Sequence, residues 1–146
     1  MEKVIKALLM NPQGDILFLI RGATHPSYAH QADLTGGIIE DGESAEAALV
    51  REVSEECAID ILGKEIQIIA EQDYESKSHY ILALVILDTL EPKLSWEHEG
   101  YFVCNLKEIK SNKKLQEAKD PYVIFAYKAI CENIDKLSGW SFFDQR

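Results

Sequence analysis

The stretch Gly37-Ile38-Ile39-Glu40-Asp41-Gly42-Glu43, followed seven residues on by Arg51-Glu52-Val53-Ser54-Glu55-Glu56-Cys57-Ala58-Ile59, decides how this chain is read. Its glycines read as a turn feeding a helix, with Ser44 as N-cap, about four turns long. At about 100° per residue, Glu52 shares the arc of Ala45, Ala48 and Leu49, with Glu56 about 40° from it and Glu55 about 60° away on the other side. The carboxylates therefore crowd the apolar margin of the helix instead of its opposite face. A solvated helix face alternates signs or separates like charges. Carboxylates gathered this way repel one another unless a hard cation lies between them. A Mg2+ or Mn2+ edge acting on a phosphate ester is expected in preference to a plain solvated face.

The same stretch resembles the Nudix box: Gly, five residues, Glu, seven residues, Arg-Glu, an aliphatic, one residue, Glu-Glu, one residue, Gly, an aliphatic. Gly37, Glu43, Arg51, Glu52, Val53, Glu55, Glu56 and Ile59 fall in register. Ala58 stands where the family usually has glycine, and Thr35, in Asp33-Leu34-Thr35-Gly36-Gly37, replaces a common proline. Neither position supplies a side-chain ligand, so these departures bear on local backbone geometry.

The resemblance implies a Nudix fold, an α/β class in which a mixed sheet is sandwiched between helices, and a nucleotide pyrophosphohydrolase activity. It makes Glu52 and Glu56 the primary Mg2+ ligands, with the Gly37 carbonyl beside them. Glu55 is a further ligand or the base that activates water. Arg51 orients the box carboxylates and Glu43 supports it, while Glu40 and Asp41 are turn residues. Trp96-Glu97-His98-Glu99-Gly100-Tyr101-Phe102-Val103 resembles the region that supplies another acidic ligand. Glu97 and Glu99 both stand as candidates there, Glu99 foremost, and Gly100 occupies a place where a further glutamate is common. His98 is read as a loop residue, because magnesium prefers oxygen. Arg21 ends a strand where relatives present a cation to phosphate, and Tyr28 or His30 borders a base pocket. The signatures of the ADP-ribose, NADH and coenzyme A branches are missing. Tyr74 lies near where diadenosine polyphosphate hydrolases carry a tyrosine.

The 146 residues suit one domain, 1–146, with 47% hydrophobic and 27% charged residues, the globular range. A net charge of −10 argues against a nucleic-acid polymer as partner. It also opposes a polyphosphate, a conflict that a bound cation relieves locally. No apolar run is long enough to span a bilayer, and Met1-Glu2-Lys3-Val4-Ile5 lacks a signal-peptide core. Cys57, Cys104 and Cys131 form no CxxC pair and are expected as reduced thiols of a cytoplasmic protein.

Around the box, Val4–Met10 reads as a strand joined by the turn Asn11-Pro12-Gln13-Gly14 to a hairpin partner, Asp15–Ile20. Residues 66–74, 79–87 and 101–106 read as further strands. Asp120-Pro121 starts a helix whose apolar periodicity runs to Leu137, with Gly139 ending it. The aromatic tail Trp140-Ser141-Phe142-Phe143 is expected to dock on its own domain, with a homodimer contact as the alternative. The expected activity is Mg2+-dependent hydrolysis of a nucleoside triphosphate, an oxidised or noncanonical one included, to a monophosphate and pyrophosphate. Dinucleoside polyphosphates, nucleotide sugars and a nucleotide-sensing domain without turnover are the alternatives.

Overall fold

The computed structural model describes residues 1–144, with side chains through Trp140. Its seven strands are β1 (Glu2–Met10), β2 (Asp15–Arg21), β3 (Ala32–Asp33), β4 (Thr35–Ile38), β5 (Gln67–Tyr74), β6 (Ser78–Ile86) and β7 (His98–Asn105). The helices are α1 (Ala45–Cys57), α2 (Lys113–Gln116), α3 (Pro121–Glu132) and α4 (Ile134–Asp144), with a 3-10 helix over Leu106–Ser111. The sheet is mixed, in the order β3-β2-β1-β6-β5, with β4 on β1 and β7 on β2.

β1 is the centre of the sheet and is buried on both faces, which is why its sequence is almost uninterruptedly apolar. Alternate residues point to opposite sides. Ile5, Ala7 and Leu9 meet Ala48, Leu49 and Val53 of α1. Leu8 and Met10 join the second core, which contains Tyr122, Phe125, Ala126 and Ile130 of α3. The layers are therefore helix, sheet, helix, as the resemblance implies. Among the described residues no helix is long and apolar enough to cross a membrane.

The hairpin expected between β1 and β2 exists only at its base. Asn11 Oδ1 accepts from the amides of Gln13 and Asp15 at 3.1 and 2.9 Å, and Gly14 takes a φ of 86°. Beyond the pair Met10↔Ile16 the strands part. β1 instead pairs in parallel with β6 from Glu2↔Ser78 to Met10↔Ile86, and β4 takes its other edge at Val4–Ala7. β2 pairs with β7 from Asp15↔Asn105 to Arg21↔His98. Long-range partners replace the local one, a choice that turn chemistry does not encode. One consequence is that β7 begins at His98, three residues before the expected strand.

The helix expected to run to Leu137 breaks at Asn133. The Asn133 side-chain amide donates to Ala129 O at 2.7 Å, and its backbone leaves helical geometry at φ −117°. α4 then begins at Ile134 and continues through Gly139, which does not end it. Trp140 packs against the α3-side core. The docking expected of Phe142 and Phe143 lies outside the described side chains.

Candidate active site

α1 brings the box carboxylates to the sheet. Ser44 accepts from Ala47 N at 3.0 Å and starts the helix. At the other end Ala58 closes it in the left-handed region, φ 55° and ψ 34°, with its N–H on Ser54 O. The last carbonyls of a helix lack internal partners. Here those of Glu56 and Cys57 accept from Ser95 N at 3.1 Å and Lys93 N at 2.8 Å. That pairing folds the incoming chain over the end of α1 and leads Glu97 to the same place.

β4 meets α1 through two glycines. Gly36 sits at φ 142°, where a Cβ would lie 2.3 Å from Ile5 O, and a Cβ on Gly37 would lie 2.8 Å from the Glu52 carboxylate. Only glycine lets the helix carboxylates come this close to the strand backbone. Gly37 is thus a strand residue, not the turn residue expected of it. Glu56 is buried, and its Oε1 accepts from Gly36 N at 2.8 Å and Thr35 Oγ1 at 2.9 Å. Burial nevertheless outweighs these bonds and the nearby Lys6 and His98, raising Glu56 to about 7.

Arg51 forms a bidentate pair with Glu43, Nε to Oε2 at 2.8 Å and Nη2 to Oε1 at 3.0 Å. Its Nη1 reaches Glu52 Oε1 at 2.8 Å, and Nη2 reaches Ile38 O at 3.2 Å. These bonds hold Glu43 below the ordinary carboxylate range. Glu52 is raised, by burial first, against the pull of Arg51 and with the charges of Glu55 and Glu97 adding to the rise.

Glu52, Glu56, Glu97 and Gly37 line one cleft of about 480 Å³, together with Lys6, His25, Asp33 and His98. Among the described residues no three His, Cys, Asp or Glu side chains already close around a point. The carboxylates of Glu52, Glu56 and Glu97 and the Gly37 carbonyl are nonetheless oxygen donors, and burial raises both Glu52 and Glu56. That set fits a hard divalent cation that keeps several of its waters.

The other expected residues lie elsewhere. The Glu55 side chain is 59% exposed and sits 3.6 Å from Arg51. Glu99 pairs with His30 Nδ1 at 2.7 Å and is not among the residues lining the cleft. Strand alternation explains this, because Glu99 and His98 must face opposite sides of β7. Arg21 is turned inward. Its Nε donates to Asp33 at 3.1 Å, Nη1 to Ser27 O at 3.0 Å and Nη2 to Asp120, so this guanidinium organises the core and is not offered to a phosphate. Tyr28, 38% exposed, lies 5.7 Å from the Arg21 guanidinium, which is its described partner.

Sequence reasoning passed over Lys6, Asp33 and the inward face of His98. Lys6 Nζ donates to Asp33 Oδ1 at 2.7 Å, and His98 Nε2 lies 3.4 Å from Asp33 Oδ2. The signal was Lys6 itself, a lysine inside an apolar strand, since a buried lysine requires a partner.

The family model of the NUDIX domain matches residues 2–126. A search of curated protein sequences found no match. Among solved structures, the MutT protein of Methanosarcina mazei Go1 is 25% identical, with a TM-score of 0.72 over 92% of this chain and 93% of that one. The E. coli dihydroneopterin triphosphate pyrophosphohydrolase, at 18% identity and a TM-score of 0.68, aligns over 92% of this chain and 95% of its own. A C. elegans Ap4A hydrolase, at 19% identity and a TM-score of 0.64, aligns over 93% and 98%. The last two likenesses speak for the fold alone.

Proposed function

Because this chain belongs to the NUDIX domain family and is a Nudix hydrolase, we propose that it hydrolyses a nucleoside triphosphate with Mg2+, which Mn2+ can replace. The products are a nucleoside monophosphate and pyrophosphate. The observation that carries this reading is the pair Glu52 and Glu56, one helical turn apart, brought against Gly36 and Gly37 in a cleft that Glu97 also lines. Glu40, Glu52, Glu56 and Glu97 around one cleft of a protein carrying ten net negative charges would repel a polyphosphate. A bound divalent cation would supply charge neutralisation, a more acidic water and stabilisation of the leaving phosphate.

Glu52, Glu56 and the Gly37 carbonyl would hold that ion, with Glu97 in place of Glu99 as the additional carboxylate. Arg51, fixed by Glu43, holds the Glu52 carboxylate in orientation and stays charged in doing so. Thr35 and Gly36 fix one oxygen of Glu56. In the reaction water adds to phosphorus, the bond to the bridging oxygen breaks, and the proton lost by water passes to a carboxylate or to solvent. The triphosphate reading draws support from the M. mazei MutT likeness and from the absence of the longer motifs of other branches.

The test is turnover of a nucleotide panel with Mg2+ or Mn2+ by wild type and by Glu56→Gln. The variant should lose roughly 100-fold or more in kcat/KM, because losing a ligand costs at least as much as losing its supporting shell. Equal turnover by the two proteins would remove Glu56 from the site. Tight nucleotide binding without turnover under either metal would replace hydrolysis by sensing.

A further inference from the structure

The sheet has two long edge strands, and they are built differently. Among the described residues β5 pairs only with β6, and β7 only with β2. β5 carries Glu71 and Asp73, with a register shift between Ile68 and Ala70. Charges and bulges on an edge strand discourage pairing with another chain. β7 shifts register only at its start, opposite Ile20 and Arg21, and from Gly100 to Asn105 it holds neither charge nor proline. Tyr101 and Val103 are 47% and 43% exposed there.

The ladder fixes which backbone groups face outward. Leu106 N donates to Gly14 O at 2.9 Å. Bonded and unbonded pairs alternate along an antiparallel ladder, so Gly100, Phe102 and Cys104 turn their N–H and C=O to β2. Those of Tyr101 and Val103 point away from the sheet. Their side chains lie on the α1 side with their register partners Leu19 and Leu17. Phe102 lies on the α3 side, stacked on Phe18 with ring centres 5.2 Å apart.

We propose that this edge is a homodimer interface, in which β7 pairs antiparallel with β7 of a second copy about a two-fold axis at Phe102. That register sets Tyr101 of each copy opposite Val103 of the other, and the two residues exchange both backbone hydrogen bonds. On the other face the two Phe102 rings meet. Aromatic with β-branched and aromatic with aromatic are favourable cross-strand pairs. The strip is therefore complementary to itself, as a two-fold interface requires. Charge follows the same pattern. The strip begins beside Glu99 and runs into Lys107, Glu108 and Lys110, all exposed, so it is acidic at one end and net basic at the other. Antiparallel pairing lays the acidic end of one copy beside the basic end of the other. The pairing does not depend on what the cleft hydrolyses, so loss of the nucleotide reading leaves it standing.

Sedimentation equilibrium of wild type across the micromolar range should show monomer and dimer in exchange. Val103→Pro deletes an outward N–H and leaves the ladder with β2 bonded. It should weaken the dimer about 30-fold, the worth of two hydrogen bonds. Val103→Lys, which keeps the backbone and charges the strip, should weaken it too and serves if the proline variant does not fold. In wild type, amide exchange at Tyr101 and Val103 should slow as concentration rises, with Phe102 and Cys104 protected throughout, a readout that needs no variant. A monomer at every concentration overturns the proposal. A dimer in which Tyr101 and Val103 exchange as freely as in the monomer also overturns it, because the contact then lies elsewhere. Wild type that stays monomeric and instead protects these amides on adding an extended peptide assigns the edge to another protein, and overturns the second copy as its occupant.

Discussion

Glu56 is the residue on which fold and chemistry compete. Its carboxyl is raised from 4.5 to about 7, chiefly by burial. A group whose folded pKa lies above its unfolded value favours the fold most at low pH. The metal-free protein should therefore lose stability as pH rises from about 4.5 through about 7, by about 3 kcal/mol from this residue. Glu56→Gln lacks the titration, so with chelator present it should melt above wild type at pH 8 and lose that advantage near pH 5. Adding Mg2+ at pH 8 should stabilise wild type more than the variant, as expected of a ligand that binds the folded state. Thermal melts under these conditions read both effects. A metal-free wild type with flat stability across that range would show that Glu56 titrates normally. The site's carboxylates were legible in the sequence because their spacing along one helix is local information. The burial that raises Glu56 was not, since it depends on Thr35, Gly36 and the returning chain at Ser95.

α1 shows how much a single element can carry. Its N-cap at Ser44, its length and its buried margin follow from Ser44, Ala48, Leu49 and Val53, all local in sequence. Its C-terminus rests on Ala58 in a left-handed conformation that costs a residue with a Cβ roughly 1–2 kcal/mol. The resemblance marks that position as one usually held by glycine, and the backbone keeps the glycine geometry regardless. Ala58→Gly should stabilise the protein by about 0.5–1 kcal/mol after the glycine entropy cost, raising Tm by roughly 2–3 °C. A lower Tm in the variant would mean that the Ala58 methyl packs better than its backbone suffers. Elements whose ends depend on side-chain caps read differently. Neither the break at Asn133 nor the start of β7 at His98 is marked by any periodicity, because one rests on an amide reaching Ala129 and the other on pairing with Arg21.

Across the whole molecule, one buried polar cluster joins the sheet to α3 beneath the cleft. Lys6 of β1, Arg21 of β2 and Asp33 of β3 meet Asp120, whose Oδ1 also accepts from Tyr122 N at 2.9 Å and caps α3. Two cations balance two carboxylates there, and Asp33 serves both cations. Removing one charge from such a cluster leaves others buried without compensation. Asp33→Asn should cost about 3 kcal/mol or more, a fall of roughly 10 °C in Tm by thermal denaturation. A neutral effect would mean that Lys6 and Arg21 find Asp120 or solvent instead. Arg21 belongs to this cluster, which is why a residue expected at a phosphate is found supporting the wall of the cleft.

The sequence by itself determined that Glu52 and Glu56 gather on one margin of α1, because they sit four residues apart on one helix, while the resemblance supplied the roles expected of Arg51 and of Glu43, which precedes the helix. The strands around two long helices suggested a mixed sheet covered on both faces, and the resemblance implied the sandwich that the two core clusters show. Only the tertiary structure put Glu97 and not Glu99 along the cleft, turned Arg21 inward, and set His98 against Asp33. Each of those depends on partners distant along the chain: the α1 terminus meeting Ser95, β7 pairing with β2, and β3 delivering Asp33 beside Lys6. Spacing along a chain fixes neighbours within a turn of helix, while charge balance in a buried cleft is settled by whatever the rest of the fold brings to it.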